Sequence, residues 1–126
     1  MREPLRDKER LAHMLAAAER VIRYTSGKTF DDLKADDMMY YAVVKNIEII
    51  GEAANLLSPE FVESHSETPW KQVRGMRNYI VHDKFQIDDV VVWDVVTTDI
   101  PVLRSQIIEY LTVFDNNSQG SSTKTQ

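Results

Sequence analysis

No cysteine occurs among the 126 residues, so the chain can build neither a disulfide framework nor a thiolate metal site. No apolar run approaches the ~20 residues that span a bilayer. The first residues, "MREPLRDKERLAH", are densely charged and lack the apolar core of a secretory signal. These absences point to a soluble, cytoplasmic protein, a setting that a chain without thiols also suits. Positive charge is in deficit as well: 15 Lys and Arg stand against 20 Asp and Glu, a net charge of −5. Broad, non-specific binding to nucleic acid rests on phosphate neutralisation, and this balance argues against it while leaving room for a local basic site. There is also no glycine-rich phosphate loop, no zinc-ligand spacing and no serine-centred nucleophile motif.

What is present reads as one helical domain. Hydrophobic residues make up 43% of the chain, and a domain of this length buries roughly two-thirds of the surface its unfolded chain exposes. Leu11, Met14, Leu15, Ala18, Val21 and Ile22 recur at three- and four-residue steps, which predicts a helix from about Pro4 to Tyr24. Gly27 fits its C-terminal cap, and Thr29 can cap a short turn after it. A second long helix is expected from near Asp36 to about Leu57. Gly51 inside it costs ~1 kcal/mol against alanine, which a close helix–helix approach would explain. Ser58 and Pro59 suit the start of a short helical turn, and a third helix is expected from about Pro69 to His82. "VVVWDVV" looks strand-like in isolation. No partner strand is visible, however, and Val92, Val95 and Val96 continue at helical spacing into Leu103, Ile107, Tyr110 and Leu111. Asp88 or Asp89 can cap this last helix, and Pro101 is expected to kink or divide it, with Asp99 capping the second part. The fold class is all-α, an up-and-down four- or five-helix bundle over residues 1–114. Residues 115–126 lack apolar side chains and read as a disordered polar tail.

One stretch does not read as scaffold. Residues 71–84 carry Lys71, Arg74, Arg77 and Lys84 against the single acid Asp83, a +3 segment inside a −5 chain. Arg77 and His82 lie five residues apart, about 140° around a helix axis, so both can reach one cleft only through the length of arginine or an unwinding helix end. Arginine offers a fork of donors to phosphate, and histidine moves protons near neutral pH. Together they hold the minimum for metal-free phosphodiester cleavage. His82 would take a ribose 2′-hydroxyl proton or protonate the leaving oxygen, and Arg77 would stabilise charge on the phosphorane. A lone histidine at a helix end can equally be a cation favoured by the helix dipole.

Asn78 can donate to phosphate or orient His82, or simply pack. Glu48 and Glu52, at i and i+4, admit a paired-carboxylate metal site, but a surface or ion-paired face is the plainer reading, with Arg74 or Arg77 as partners for Glu52. His13 and His65 read as surface residues. Trp70 and Trp93 read as core or interface anchors.

Three segments in order carry a resemblance: "IEIIGEAANLLSPE", "PWKQVRGMRNYIVHDKFQID" and "VVWDVVTTDIPVLRSQI". They resemble the HepT-like branch of the HEPN superfamily, over about Leu5 to Phe114. The resemblance implies an all-α, HEPN-like bundle that dimerises. It also implies a metal-independent endoribonuclease toxin, needing no cofactor, of a type VII-like toxin–antitoxin pair. The family's Arg-x4-6-His motif forms a composite cleft at the dimer interface, and Arg77 and His82 match it, with Asn78 as the polar residue within. The implied partners are RNA, a second copy of the chain, and a minimal nucleotidyltransferase antitoxin that transfers AMP to a tyrosine two residues after the histidine.

At that acceptor position the sequence departs from the family, since "HDKF" places Lys84 there. Either the modification site is lost or neutralisation works by occlusion. Tyr79 is a nearby phenol, expected to pack within its helix. Lys71, Arg74 and Lys84 are candidate RNA contacts. Dimerisation is expected through the third and fourth helices, anchored by Trp70, Met76, Ile80 and Trp93. The rival readings are a non-catalytic helical module that binds nucleotide or RNA, and a partner subunit of a nucleotidyltransferase.

Overall fold

The computed structural model describes residues 3–76, 78 and 87–124. Their elements are α1 (Glu3–Thr25), α2 (Phe30–Ala35), α3 (Asp37–Asn55), α4 (Pro59–Ser64), α5 (Trp70–Arg74), α6 (Asp89–Asp94), a π-helical turn (Val95–Asp99) and α7 (Ile100–Lys124). Among the described residues there is no β-strand, and "VVVWDVV" is helical as its spacing predicts.

Local chemistry sets the helix ends. Gly27 takes φ +73°, the left-handed geometry that ends α1. A reciprocal capping box starts α2: Asp32 N donates to Thr29 Oγ1 at 3.0 Å, and Thr29 N donates to Asp32 Oδ2 at 2.9 Å. Those bonds hold the Asp32 carboxyl below its ordinary range, the backbone donor of Thr29 contributing most. Asp36 caps α3, Ser58 caps α4 with Pro59 behind it, and Asp88 caps α6.

Packing follows the apolar stripes. Leu11, Met14 and Val21 of α1, Val43, Ile47 and Ile50 of α3, and Val92, Ile100 and Ile107 of the last helical stretch are wholly buried. Each such side chain contributes about 1.5–3 kcal/mol of burial. Helix α1 is the hub, packed on α3 and on α7, with α5 laid across α3. Cross-links fix the directions. Lys8 pairs with Asp115 at 3.0 Å, and Glu19 accepts from Arg104 at 3.1 Å. A rising number on one helix meets a falling number on the other, so α1 and α7 are antiparallel. Asp7 with Ser58, and Arg20 with Asn46, give the same result for α1 and α3.

Four expectations are corrected. Pro101 neither divides the helix nor leaves Asp99 as a cap. Its ring would collide with the carbonyl four residues back, and the backbone widens to a π-turn in which Ile100 N donates to Val95 O, so the helix runs on. Asp99 sits half-buried in that turn, its carboxyl raised by burial and then by Asp94. The helix also passes the boundary expected at 114 and continues to Lys124, because no proline or cap stops it and Lys8 pairs with Asp115. The disordered tail expected over 115–126 is therefore helical as far as Lys124. His65 is not a free surface residue: its ring stacks on Phe61 at 3.9 Å and meets Tyr110 edge-on, while its Nδ1–H donates to the Phe61 carbonyl at 2.9 Å. Trp70 and Met76 are 4% and 2% exposed within the protomer's own core, so they cannot anchor a second copy. Trp93 lies half-buried beside Phe30, and Ile80 lies outside the described residues.

Candidate active site

The site is built where α5 crosses α3. Gly51 makes the crossing possible. A Cβ there would lie 3.3 Å from the Arg74 carbonyl oxygen and 3.6 Å from that of Val73. The sequence expectation of a close helix approach at Gly51 is met, and its partner is the α5 backbone. Trp70 and Val73 point the other way, into the core, and Trp70 Nε1 donates to the His65 carbonyl at 2.9 Å. That anchoring turns the polar side of α5 outward.

Between the two helices runs an open groove of about 480 Å³, lined by Glu52 and Asn55 of α3 and by Lys71, Arg74, Gly75 and Asn78. Lys71 and Asn78 are exposed, and Arg74 is half-buried with its Nε donating to the Ala54 carbonyl over 3.4 Å. That long contact leaves the rest of the guanidinium available to the groove. Asn78 N donates to the Gly75 carbonyl at 2.8 Å. Two cations and two amides therefore share one concavity with one carboxylate, a donor-rich surface fit for a phosphate group.

Of the residues singled out in the sequence, Lys71, Arg74 and Asn78 are brought together here. Arg77, His82, Lys84 and Tyr79 lie outside the described residues. Glu52 is exposed on the groove wall and does not face the bundle interior. Glu48 and Glu52 join no cluster of three carboxylates or histidines among the described residues, so the paired-carboxylate metal site has no third ligand there. His13 is exposed, as expected. Sequence reasoning missed Asn55, though its spacing of four from Gly51 puts it on the same helix face. It also missed Asp7, whose buried carboxylate accepts from Ser58 N at 2.8 Å and Ser58 Oγ at 2.7 Å, because that pairing joins positions 51 apart.

Comparison with known proteins adds a family to this geometry. The model of the family described as ribonuclease HepT-like matches residues 14–110. A protein of Caldanaerobacter subterraneus named "Putative RNase TTE0752" is 38% identical over 101 residues, covering 80% of this chain and 90% of that one. "Gamma-glutamylcyclotransferase and putative RNase MJ0434" of Methanocaldococcus jannaschii is 37% identical over 110 residues, 87% of this chain and 50% of that one. "Probable ribonuclease HepT" of Thermococcus cleftensis is 33% identical over 99 residues, 79% of this chain and 90% of that one. No solved structure matches. No helix among the described residues is long and apolar enough to cross a membrane.

Proposed function

Because the chain belongs to the ribonuclease HepT-like family, we propose that it is a metal-independent endoribonuclease in which Arg77 and His82 carry the reaction. The observation that supports this reading most is the donor-rich groove at the α3–α5 crossing. Asn78, which lines it, is the chain neighbour of Arg77. In the proposed reaction His82 accepts the ribose 2′-hydroxyl proton, and the 2′-oxygen attacks the adjacent phosphorus. The bond to the 5′-oxygen breaks, and that oxygen leaves with the proton that His82 took up. The products are a 2′,3′-cyclic phosphate and a 5′-hydroxyl, with atoms and charge balanced. Arg77 offsets the charge that builds on the phosphorane, and Lys71 and Arg74 hold flanking phosphates. Asn78 donates to the scissile phosphate or orients His82.

Within this reading the protein acts as a homodimer, because one Arg and one His bracket a phosphodiester from one side only. It is the toxin of a pair whose antitoxin is a minimal nucleotidyltransferase. The test is incubation of pure protein with RNA in EDTA, with analysis of fragment ends. Cutting that persists in EDTA and is abolished by His82→Ala and by Arg77→Ala is the expected result. Cutting that survives His82→Ala, or stops in EDTA, refutes the mechanism. RNA that is bound and never cut supports the non-catalytic module instead.

A further inference from the structure

A second groove lies on the other side of α3, against α1. Arg10, His13, Ala16 and Arg20 line it from α1, on the single face that steps of three, three and four residues keep aligned. Ile49, Ala53 and Leu56 line it from α3, again at helical spacing. Its volume is about 320 Å³, within the range of small-ligand sites.

Three features separate it from a random surface dent. The first is an unmet donor. Arg10 Nε–H is buried with no hydrogen-bond partner among the described residues, and a guanidinium with an unmet donor is costly. Arg10 also lines the groove, so the rest of its guanidinium can meet an anion there. The second is pre-organisation. Arg20 Nε donates to Asn46 Oδ1 at 2.7 Å, and Asn46 is itself buried and tied to the Ala42 carbonyl at 2.8 Å. That chain holds the Arg20 guanidinium in place beside the groove. The third is an exposed apolar floor: Leu56 is 59% exposed, and Ile49 is half-buried beside it. Cations beside an apolar floor match a phosphate joined to a flat, weakly hydrated base.

Glu52 lines both this groove and the one at the α3–α5 crossing. The two are therefore contiguous across one α3 side chain. We infer that the α1–α3 groove is a second subsite for single-stranded RNA, holding a phosphate–base unit of the strand whose neighbouring phosphate lies in the α3–α5 groove. Arg10 and Arg20 take the phosphate, His13 adds a donor at the rim, and the base rests on Ile49 and Leu56. The inference rests on the ribonuclease reading above, and goes beyond it in giving the enzyme a site that reads the strand away from the cleaved bond.

The test is the affinity of the full chain for a fluorescent single-stranded RNA whose 2′-hydroxyls are methylated, so that it binds and cannot be cut. Arg10→Glu and His13→Glu are compared with Lys34→Glu, a change on α2 away from both grooves that alters the net charge as Arg10→Glu does and by more than His13→Glu. Arg10→Glu is expected to weaken binding about tenfold or more, and to lower the salt slope by about 0.7 for the lost phosphate contact. His13→Glu, at an exposed position that leaves the core intact, is expected to weaken it in the same direction, and Lys34→Glu should do neither. Circular dichroism checks that each variant is folded, and if Arg10→Glu unfolds, His13→Glu decides. Equal affinity for all three variants overturns the inference, as does an equal loss in all three, which would be a whole-molecule charge effect. A groove substitution that splits a dimer into monomers, seen by sedimentation, overturns it in favour of an interface between copies. Wild-type protein that neither binds nor cuts RNA defeats the ribonuclease reading itself, a result distinct from all of these.

Discussion

Replacing Gly51 by valine should loosen the α3–α5 groove from behind. The added Cβ would stand 3.3 Å from the Arg74 carbonyl oxygen and 3.6 Å from that of Val73. Both are backbone atoms of α5, so no side chain can swing aside, and the two Cγ atoms of valine add to the crowding. Overpacking of this kind costs about 1–3 kcal/mol. Valine is a better helix former than glycine by a few tenths of a kcal/mol, which offsets part of that. The expected net loss is about 1–2 kcal/mol, which lowers the melting temperature by roughly 4 °C per kcal/mol at this chain length. Gly51→Ala is the graded partner. Its gain of about 1 kcal/mol in helix propensity is set against a displacement of α5 by a few tenths of an ångström, and its stability should stay within about 1 kcal/mol of wild type. Urea unfolding gives the energies, and cleavage of a labelled RNA gives the function. Because α5 carries Lys71 and Arg74, Gly51→Val should lose cleavage beyond what its unfolded fraction explains. A valine variant with wild-type urea midpoint and wild-type cleavage would refute the reasoning, since it would mean that the crossing is not tight.

Asp7→Ala should destabilise the fold by about 2–4 kcal/mol in urea unfolding, because it strands the buried Ser58 N–H and removes a second, charge-assisted bond to Ser58 Oγ. A loss below about 0.5 kcal/mol, the range of ordinary surface changes, would show that water replaces the carboxylate. Alkali should weaken the protein above pH ~10. Burial, opposed by the Thr68 bond and helped by Glu67, pushes the Tyr110 phenol up to about 12, and burial with the Asp89 bond raises Tyr40 as well. The folded state then keeps protons that the unfolded state has lost, so stability is full below the unfolded value and falls as pH climbs toward the folded one. Spectroscopic titration of tyrosine in Tyr110→Phe should lose one late-titrating phenol, and an unchanged curve would contradict this. A cognate nucleotidyltransferase with ATP should leave Lys84 unmodified, since its amine is mostly protonated near neutral pH. Lys84→Tyr should gain one AMP by intact mass, and an adduct on Lys84 itself would overturn the argument.

The sequence carried most of the fold because its signals are local. Thr29, Asp36, Ser58 and Asp88 act within three residues of themselves, and the apolar stripes need only a helical period. Gly51 was legible as a tight spot because glycine weakens a helix and is tolerated at mid-helix where a Cβ would collide, yet nothing in its own neighbourhood names α5 as the partner. The π-turn was not legible. Pro101 shows that a helix must adjust, and whether it breaks or widens depends on the packing of Val95, Val96 and Ile100, all buried. His65 was misread because its charged neighbours in sequence are not its neighbours in space, which are Phe61 and Tyr110. Met76 was misread as an anchor for a second copy for the same reason, and Trp70 met the core half of its core-or-interface reading, since large apolar residues look alike in a sequence whichever surface buries them. Of the residues that line the α3–α5 groove, Lys71, Arg74 and Asn78 stood out in the sequence by charge and spacing and Glu52 as a partner for arginine, whereas Asn55 needed the crossing of two helices to bring it in.

The antiparallel seam between α1 and α7 also bears on the order in which the protein is made. Glu19 meets Arg104 85 residues later in the chain, and Lys8 meets Asp115 later still. While a ribosome is still adding the middle of the chain, α1 has only α3 to lean on, and the wall that α7 provides does not yet exist. Helix α1 therefore waits for α7. The bundle that supports the α3–α5 groove is complete only once α7 has emerged, so the groove reaches its final support later than its own residues are made.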